Sequence, residues 1–498
     1  MLKPRADLKP NTYEFETTPL VSPNGFREYD ARWLFPQEIN LLGIQALGLG
    51  LGTYFHELGI RPRVATGHDY RSYSQTVKQA LILGLMNAGC EVVDVGLATT
   101  PVCYFAQFAL DCPAVAMVTA SHNENGWTGV KMGASKPLTF GPDEMTRLKA
   151  IVLGGEGKPR SGGSYTSVEN FREQYLEAVT AGHKLLRPIK VVAACGNGTA
   201  GVFAPEALKR IGAEVIPMDT QLDYTFPKYN PNPEDLHMLH AMADAVREHG
   251  AEICLGFDGD GDRCGVVDDT GAEIFADKVG VLLARDLSAG QHGAKFVVDV
   301  KSTGLYETDP VLKEHGVQVD YWKTGHSYIK RRTAELGALA GFEKSGHYFF
   351  NPPFGRGYDD GVVAGIAVLE MLDRAGGKKM SQLVASLPKT WGSPTMAPFC
   401  PDDGKYAVVE ALTQEYSDLQ KRGEKILGQK VAHLITVNGV RVVLEDGTWG
   451  LVRASSNKPS LVVVVESPTS EENMRAMFRD LDSRLSKHPE VGEYDQKI

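Results

Sequence analysis

Several things are missing from this sequence, and each absence removes a class of protein. No run of apolar residues approaches the roughly 20 needed to span a bilayer. The most apolar stretch near the start, Leu41 to Gly52, is short, broken by glycines and contains Gln45, so no membrane association is expected. The opening Met1-Leu-Lys-Pro-Arg-Ala-Asp-Leu-Lys-Pro10 lacks the apolar core of a signal peptide. Cysteine is scarce, with seven scattered residues and no Cys-x-x-Cys. That pattern argues for reduced thiols in a cytosolic enzyme and against a disulfide framework. Basic residues are outnumbered, 52 Lys and Arg against 62 Asp and Glu, for a net charge of −10. General nucleic-acid binding is therefore not expected, and positive contacts to an anionic ligand must be local. The expectation is a soluble, cytoplasmic protein.

What is present is enough for several cores. The chain has 498 residues, 43% apolar and 23% charged, which at roughly 150 residues per domain gives three or four domains. One unit recurs three times: an apolar strand, a polar or Gly-bearing loop, a helix-like stretch, a glycine and a second strand. The copies run from Arg63-Val-Ala-Thr-Gly67 to Ala88-Gly-Cys-Glu-Val-Val-Asp-Val95, from Lys190-Val-Val-Ala-Ala-Cys195 to Ile211-Gly-Ala-Glu-Val-Ile216, and from Lys295-Phe-Val-Val-Asp-Val300 to His315-Gly-Val-Gln-Val319. The glycine before each second strand suits the left-handed end of a helix, and the alternation predicts right-handed βαβ units. The last hundred residues differ: Gly439 to Leu444 and Trp449 to Arg453 flank a hairpin turn signal, Glu445-Asp-Gly447. Leu461 to Val465 reads as another strand, and a helix is expected from about Ser470 to Ser486. The fold class is α/β, three tandem mixed α/β domains of related topology plus a C-terminal α+β domain, with boundaries at 1–167, 168–271, 272–387 and 388–498.

The segment Phe257-Asp-Gly-Asp-Gly-Asp-Arg263 places carboxylates at alternate positions with glycines between. Side chains at such spacing point the same way, so Asp258, Asp260 and Asp262 can converge on one hard cation, above all Mg²⁺. Three protein oxygens leave sites open for phosphate. An EF-hand loop would need glycine at its sixth position, where Arg263 stands, and helices where strand-like flanks lie. An acidic surface turn explains the charge but not the alternation.

Thr119-Ala-Ser121-His122-Asn123 follows the apolar strand Ala114 to Val118, so Ser121 is expected at a strand's carboxyl end, where α/β sheets place ligands. Lys131 lies ten residues on and could serve as an acid–base group or a phosphate counter-charge. An ordinary Ser/Asn turn is the plainer reading of the loop alone. Alongside the aspartates it gains force, because a phosphoserine carries hard oxygens for Mg²⁺.

These loops, with Glu343-Lys-Ser-Gly-His347 and Arg453-Ala-Ser455 after them, resemble the four signature loops of the α-D-phosphohexomutases, in the family's order. Asp299-Val-Lys301, Thr324-Gly-His-Ser327 and Tyr358-Asp-Asp-Gly361 are similar to the bacterial phosphomannomutase/phosphoglucomutase branch. The resemblance covers nearly the whole chain and implies four domains around a central cleft. It implies a phosphohexomutase interconverting hexose 1-phosphate and 6-phosphate (mannose and/or glucose) through phosphoserine at Ser121 and a 1,6-bisphosphate. It implies Mg²⁺ on Ser121, Asp258, Asp260 and Asp262, and glucose or mannose 1,6-bisphosphate as activator. Lys131 and Arg263 would assist proton transfer, with His122 beside the serine. Glu343 and Ser345 would grip sugar hydroxyls near Lys301, His326 and His347; Arg453, Ser455, Ser456 and Asn457 would clamp the distal phosphate; Tyr29 and Arg32 would approach phosphate. Partners are then small sugar phosphates, and a monomer or weak dimer is expected.

The chain departs from the family in three places: Trp33 follows Tyr29-Asp-Ala-Arg32 where the family has glycine, Glu124 replaces the proline after Ser-His-Asn, and the clamp reads Arg453-Ala-Ser-Ser-Asn-Lys-Pro459. A rival reading is carried by Gly196-Asn-Gly198-Thr-Ala-Gly201 with Asp219 downstream, which matches a dinucleotide fingerprint; a tight packing turn is the preferred account. Lys330-Arg-Arg332 is expected on a solvated helix face, and Tyr348-Phe-Phe350 in the core.

Overall fold

A computed structural model describes residues 3–456 and 458–498; Asn457, assigned to the phosphate clamp, lies outside the described residues. The chain divides into two compact units, Met1–Ala276 with Ser345–Ser381, and Asp277–Lys344 with Gln382–Ile498.

The first unit holds two sheets. In one, the strands run in the order Ala31–Leu34, Trp127–Gly133, Ala114–Val118, Arg63–His68, Glu91–Leu97, Ser164–Ser167. Its centre is parallel: Arg63–His68 lies between Glu91–Leu97 and Ala114–Val118, and its antiparallel edge brings Trp127–Gly133 back beside Ala114–Val118. The strand Ala114–Val118 is buried throughout, which is why it reads as an unbroken apolar run. The helices Leu41–Glu57 and Ser74–Asn87 cover this sheet, so the glycine-broken apolar stretch near the start is a core helix. In the other sheet, Glu273–Ile274, Cys264–Asp268, Ile253–Phe257, Lys190–Ala194 and Glu214–Met218 follow in order. Lys190–Ala194 is parallel to both its neighbours, and Ile253–Phe257 and Cys264–Asp268 form the hairpin that carries the aspartate loop. Tyr348–Phe350 is a buried strand of this unit.

In the second unit, Lys295–Asp299 is parallel to both Gln318–Trp322 and Ala340–Phe342. Each recurrent βαβ copy therefore forms, and the glycines before the second strands take φ of 79° at Gly89, 101° at Gly212 and 65° at Gly316. The C-terminal sheet is antiparallel along Leu461–Ser467, Trp449–Ala454, Val440–Leu444 and Gln429–Ile435. The helices Lys405–Arg422 and Glu471–Leu485 supply Val408, Leu412, Met477 and Leu481 to its core.

One expectation fails. The helix His326–Glu335 turns His326, Ile329, Lys330 and Thr333 inward at helical spacing, so Lys330 is buried rather than solvated. Arg332 stacks over Trp322 at 4.1 Å and bonds Asp320 at 2.7 Å. Among the described residues, no helix is long and apolar enough to cross a membrane.

Candidate active site

Ser121 ends the strand–loop passage out of Ala114–Val118 and is buried in a left-handed conformation, φ 52°. A side chain other than glycine rarely adopts this without support. The support is local and tertiary: Ser121 N–H donates to Thr119 Oγ1 at 2.8 Å, and its carbonyl accepts from Arg71 Nη2 at 3.0 Å. Its Oγ lies 3.2 Å from His122 Nδ1 and donates to Asp258 Oδ2 at 3.4 Å. The aspartate loop can come this close because Gly259 has no side chain; a Cβ there would sit 2.7 Å from the Ser121 carbonyl oxygen.

Asp258, Asp260 and Asp262 each offer a ligand atom within 4.8 Å of the others. All three are fully buried. Asp258 Oδ1 accepts the backbone N–H groups of Asp262 and Arg263 at 3.1 and 3.2 Å, which closes the loop. Lys131 Nζ donates to Asp260 Oδ2 at 2.8 Å and also to Asp262 Oδ2, and Thr100 Oγ1 donates to Asp260 at 2.5 Å. Among the described residues, Oδ1 of Asp260 and of Asp262 are buried and accept no hydrogen bond. Burial, reinforced by the charges of Asp260 and Asp262, pushes the Asp258 carboxyl well above the usual carboxylate range. Asp260 is held low: burial would raise it, and the Lys131 ammonium outweighs that. Burial also disfavours the Lys131 charge, but Asp260 and Asp262 overcome it and raise that group. Three carboxylates against one ammonium, with two bare oxygens aimed inward, fit a hard divalent cation.

Arg263 follows the triad. Its Nη1 donates to Glu234 at 3.1 Å and its Nε to His347 Nε2 at 3.0 Å. The turn bearing Ser345 is tied to the aspartate hairpin by Cys264 N–H to Gly346 C=O, 3.0 Å. Arg32 pairs with Asp30 at 2.9 Å and reaches Asn123 Oδ1 at 2.6 Å, which joins the Tyr29–Arg32 segment to the serine loop. Trp33, fully buried, donates Nε1–H to Ser22 C=O at 2.8 Å; the departure at this position is filled by core packing. Glu124 leaves the loop intact, with Asn123 N–H still turning back to Ala120 C=O at 3.0 Å.

The second unit gathers the other candidates in two groups. Asp299 accepts from Ser302 Oγ at 2.5 Å and Thr324 Oγ1 at 3.1 Å, and Lys301 Nζ lies 3.8 Å away. Glu343 Oε1 accepts the Gly325 N–H at 2.9 Å, which sets the start of the helix carrying the buried His326. Arg453, Ser455 and Ser456 are buried at the end of Trp449–Ala454. Lys405 Nζ holds this loop through the Ser455 and Lys458 carbonyls at 2.6 and 3.1 Å.

The dinucleotide reading does not survive the geometry. Thr199 N–H donates to Gly259 C=O at 3.0 Å, and a Cβ on Gly201 would stand 2.2 Å from Thr220 O. The glycines pack the turn under the aspartate loop, and Asp219 is taken by Lys228 at 2.5 Å and by Tyr229.

Sequence reasoning did not single out Asp69, Arg71, Thr100 or Lys405. Asp69 Oδ2 accepts from Thr119 Oγ1 at 2.9 Å and Ala120 N at 3.2 Å, and Asp69 also pairs with Arg71. The available signal was weak: charged residues just past the carboxyl end of Arg63–His68.

Fold and loops together are those of the α-D-phosphohexomutase class. The sequence matches phosphoglucomutase/phosphomannomutase alpha/beta/alpha domain I over residues 23–157, domain II over 173–271, domain III over 275–391 and the C-terminal domain over 400–482. It is 35% identical over 454 residues to a phosphomannomutase/phosphoglucomutase of Pseudomonas putida, covering 90% of this chain and 93% of that protein. It is 33% identical over 445 residues to a phosphoglucomutase of Neisseria gonorrhoeae, covering 89% and 93%. A crystal structure of a phosphoglucomutase/phosphomannomutase family protein from Burkholderia thailandensis superposes with TM-score 0.84 at 30% identity, over 94% of this chain and 98% of that one. The chain belongs to the phosphoglucomutase/phosphomannomutase family, and it is an enzyme of the isomerase class.

Proposed function

We propose that this enzyme interconverts hexose 1-phosphate and hexose 6-phosphate, of mannose, glucose or both, through a phosphoserine at Ser121 and a bound 1,6-bisphosphate. One observation carries the reading: Ser121 Oγ, on a left-handed residue braced from both sides, bonds to Asp258 at 3.4 Å in a triad with two bare carboxylate oxygens. Asp258, Asp260, Asp262 and an oxygen on Ser121 would hold Mg²⁺, which when bound supplies positive charge to a phosphoryl group in transfer.

The remaining roles belong to the chain's own groups. Lys131, bonded to Asp260 and Asp262, and Arg263, 4.0 Å from Asp258, suit proton handling and charge balance at the transferring oxygen. His122 Nδ1, 3.2 Å from Ser121 Oγ, orients that hydroxyl. Glu343 accepts from neighbouring sugar hydroxyls, and Ser345, Lys301, His326 and His347 frame the ring. Arg453, Ser455, Ser456 and Asn457 take whichever phosphate is not reacting; because the sugar presents either end, that clamp must read charge and ignore sugar identity. Tyr29 and Arg32 border the incoming phosphate.

The test is intact-mass spectrometry after incubation with glucose 1,6-bisphosphate, combined with steady-state assay. The native chain should gain one phosphoryl group, and Ser121→Ala should gain none and lose at least about a thousandfold in turnover while still binding glucose 1-phosphate. Near-native turnover in Ser121→Ala, free of contaminating mutase, removes Ser121 from this role.

A further inference from the structure

Two features stand apart from the loops above, the turn Gly196-Asn-Gly198 and the segment Asn230-Pro-Asn-Pro-Glu234. They meet in the fold. Pro231 and Pro233 are buried, each seated against a glycine. A Cβ on Gly196 would stand 2.8 Å from Pro231 Cβ, and one on Gly265 would stand 2.5 Å from Pro233 Cβ. The prolines fix the backbone on either side of Asn232. Asn232 N–H to Asn230 C=O and Asp235 N–H to Asn232 C=O, both 2.8 Å, fold it back on itself. Asp235 then caps the helix Leu236–His249 through the His237 and Met238 N–H groups at 2.9 and 3.2 Å. The result is a stiff strap laid against the aspartate hairpin. Asn230 Nδ2 donates to the His122 carbonyl, one residue past Ser121, while Pro231 C=O accepts the Gly259 N–H at 3.1 Å. Adjacent residues of the strap thus hold the serine loop and the aspartate loop.

We propose that Asn230 is a positioning residue for the phosphoryl transfer. Its amide pins the Ser121 loop to the strap that seats the aspartate loop, and so sets the approach of Ser121 Oγ to the triad. The proposal rests on the functional reading above and adds to it a residue that acts through the His122 carbonyl.

The other bonds to the serine loop do a different job. Thr119 and Arg71 follow the strands Ala114–Val118 and Arg63–His68, both in the serine's own sheet, and they brace the conformation of Ser121. Thr100 and Lys131 tie the aspartates to that sheet. Asn230 works in the other direction: it lies between Glu214–Met218 and the helix Leu236–His249, on the side of the aspartates, and holds the serine loop to them. The amide is oriented by chemistry, since the opposite placement would set its oxygen against the His122 oxygen. Among the described residues, Asn230 Oδ1 is buried and accepts no hydrogen bond. A bare buried acceptor is costly, and here the amide bears that cost while its side chain makes a single bond, the one to His122. The tolerance it guards is narrow. Ser121 Oγ reaches Asp258 Oδ2 at 3.4 Å, near the outer limit of a hydrogen bond, and a misplacement of about 1 Å can cost on the order of 100-fold in rate.

The test compares Asn230→Ala and Asn230→Asp with the native protein. Asn230→Asp keeps the size of the side chain and sets a carboxylate against the carbonyl. The readouts are kcat and KM for glucose 1-phosphate, melting temperature, and a single-turnover rate. For the last, protein phosphorylated from glucose 1,6-bisphosphate is mixed with glucose 6-phosphate, and the loss of its phosphoryl group is followed by rapid quench and intact mass. Both variants should lose about 10- to 100-fold in kcat and in the single-turnover rate, with KM within about threefold of native and melting close to native. A near-native single-turnover rate in Asn230→Ala overturns the proposal. So does a loss confined to KM, or failure of both variants to fold, because a residue that only aligns two formed loops leaves the fold standing. The native protein reports the underlying reading separately: if it gains no phosphoryl group from glucose 1,6-bisphosphate, that reading fails. If it does gain one, a near-native Asn230→Ala condemns only the role of Asn230.

Discussion

Ser121 occupies φ 52° only because Thr119 Oγ1 and Arg71 Nη2 hold its amide and carbonyl, and a left-handed non-glycine residue costs about 1–2 kcal/mol. Such strain is tolerated where surrounding bonds over-determine it, and here those bonds extend one layer outward to Asp69. Next to Asp69 is His68, partly buried, with Nδ1 lacking a hydrogen-bond partner among the described residues. Desolvation, helped by the nearby Lys78 charge, lowers its pKa from 6.5 to about 4. The fold therefore holds the neutral ring. The stability this gives is complete above the unfolded value near 6.5 and is lost as pH falls from there through about 4. We expect chemical denaturation of the native protein to show a decline on the order of 3 kcal/mol across that window from this group. His68→Leu should flatten that part of the profile, and an unchanged acid limb in His68→Leu would contradict it.

At the scale of elements, the helices Leu41–Glu57 and Ser74–Asn87 approach closely because their contact is made by glycines. A Cβ on Gly84 would stand 2.1 Å from Gln45 O, and one on Gly48 would stand 2.3 Å from Leu81 O. Gly84→Ala gains helix propensity of about 1 kcal/mol yet meets backbone that cannot give way. We expect a net loss of about 1–3 kcal/mol, read as a lower melting temperature with kcat unchanged; a rise in melting temperature would contradict the contact. This pair was not legible in the sequence, where Gly48 read only as one of the interruptions of an apolar run. The βαβ copies were legible, because buried parallel strands are apolar at every position and a left-handed glycine marks the return to the next strand. The Asp258 to Asp262 loop and the Ser121 loop were legible because their chemistry is packed into a few consecutive residues. Lys330 deceived because three adjacent basic residues look like one solvated face, whereas helical spacing turns only one of them inward. Arg71 was hidden for a different reason: what it does depends on a partner the fold brings to it, Ser121, 50 residues along the chain.

Over the whole molecule, the four family domains and the two compact units do not coincide, since Ser345–Ser381 belongs with the first unit although domain III spans 275–391. Within the second unit, the C-terminal sheet grips the segment bearing Lys301. Glu466 Oε1 accepts from Thr303 Oγ1, Gly304 N and Trp449 Nε1 at 3.0, 2.8 and 3.0 Å. Arg441, stacked 3.7 Å from the Trp449 ring centroid, donates to Val300 and Ser302 carbonyls at 2.9 and 2.6 Å. Glu466→Ala leaves those donors without their acceptor and should cost about 2–4 kcal/mol. Because the loop carrying Lys301 loosens with it, kcat/KM for sugar phosphate should fall as well. A variant as stable as native would show that the segment is held by other means.

The most direct measurement of the central claim is phosphorus NMR of the purified protein with Mg²⁺, a trace of glucose 1,6-bisphosphate, and either glucose 1-phosphate or mannose 1-phosphate. The account predicts conversion to the 6-phosphate of at least one sugar, with total ester phosphate conserved and no conversion by Ser121→Ala. Release of inorganic phosphate, or no conversion of either sugar by folded protein, would contradict it.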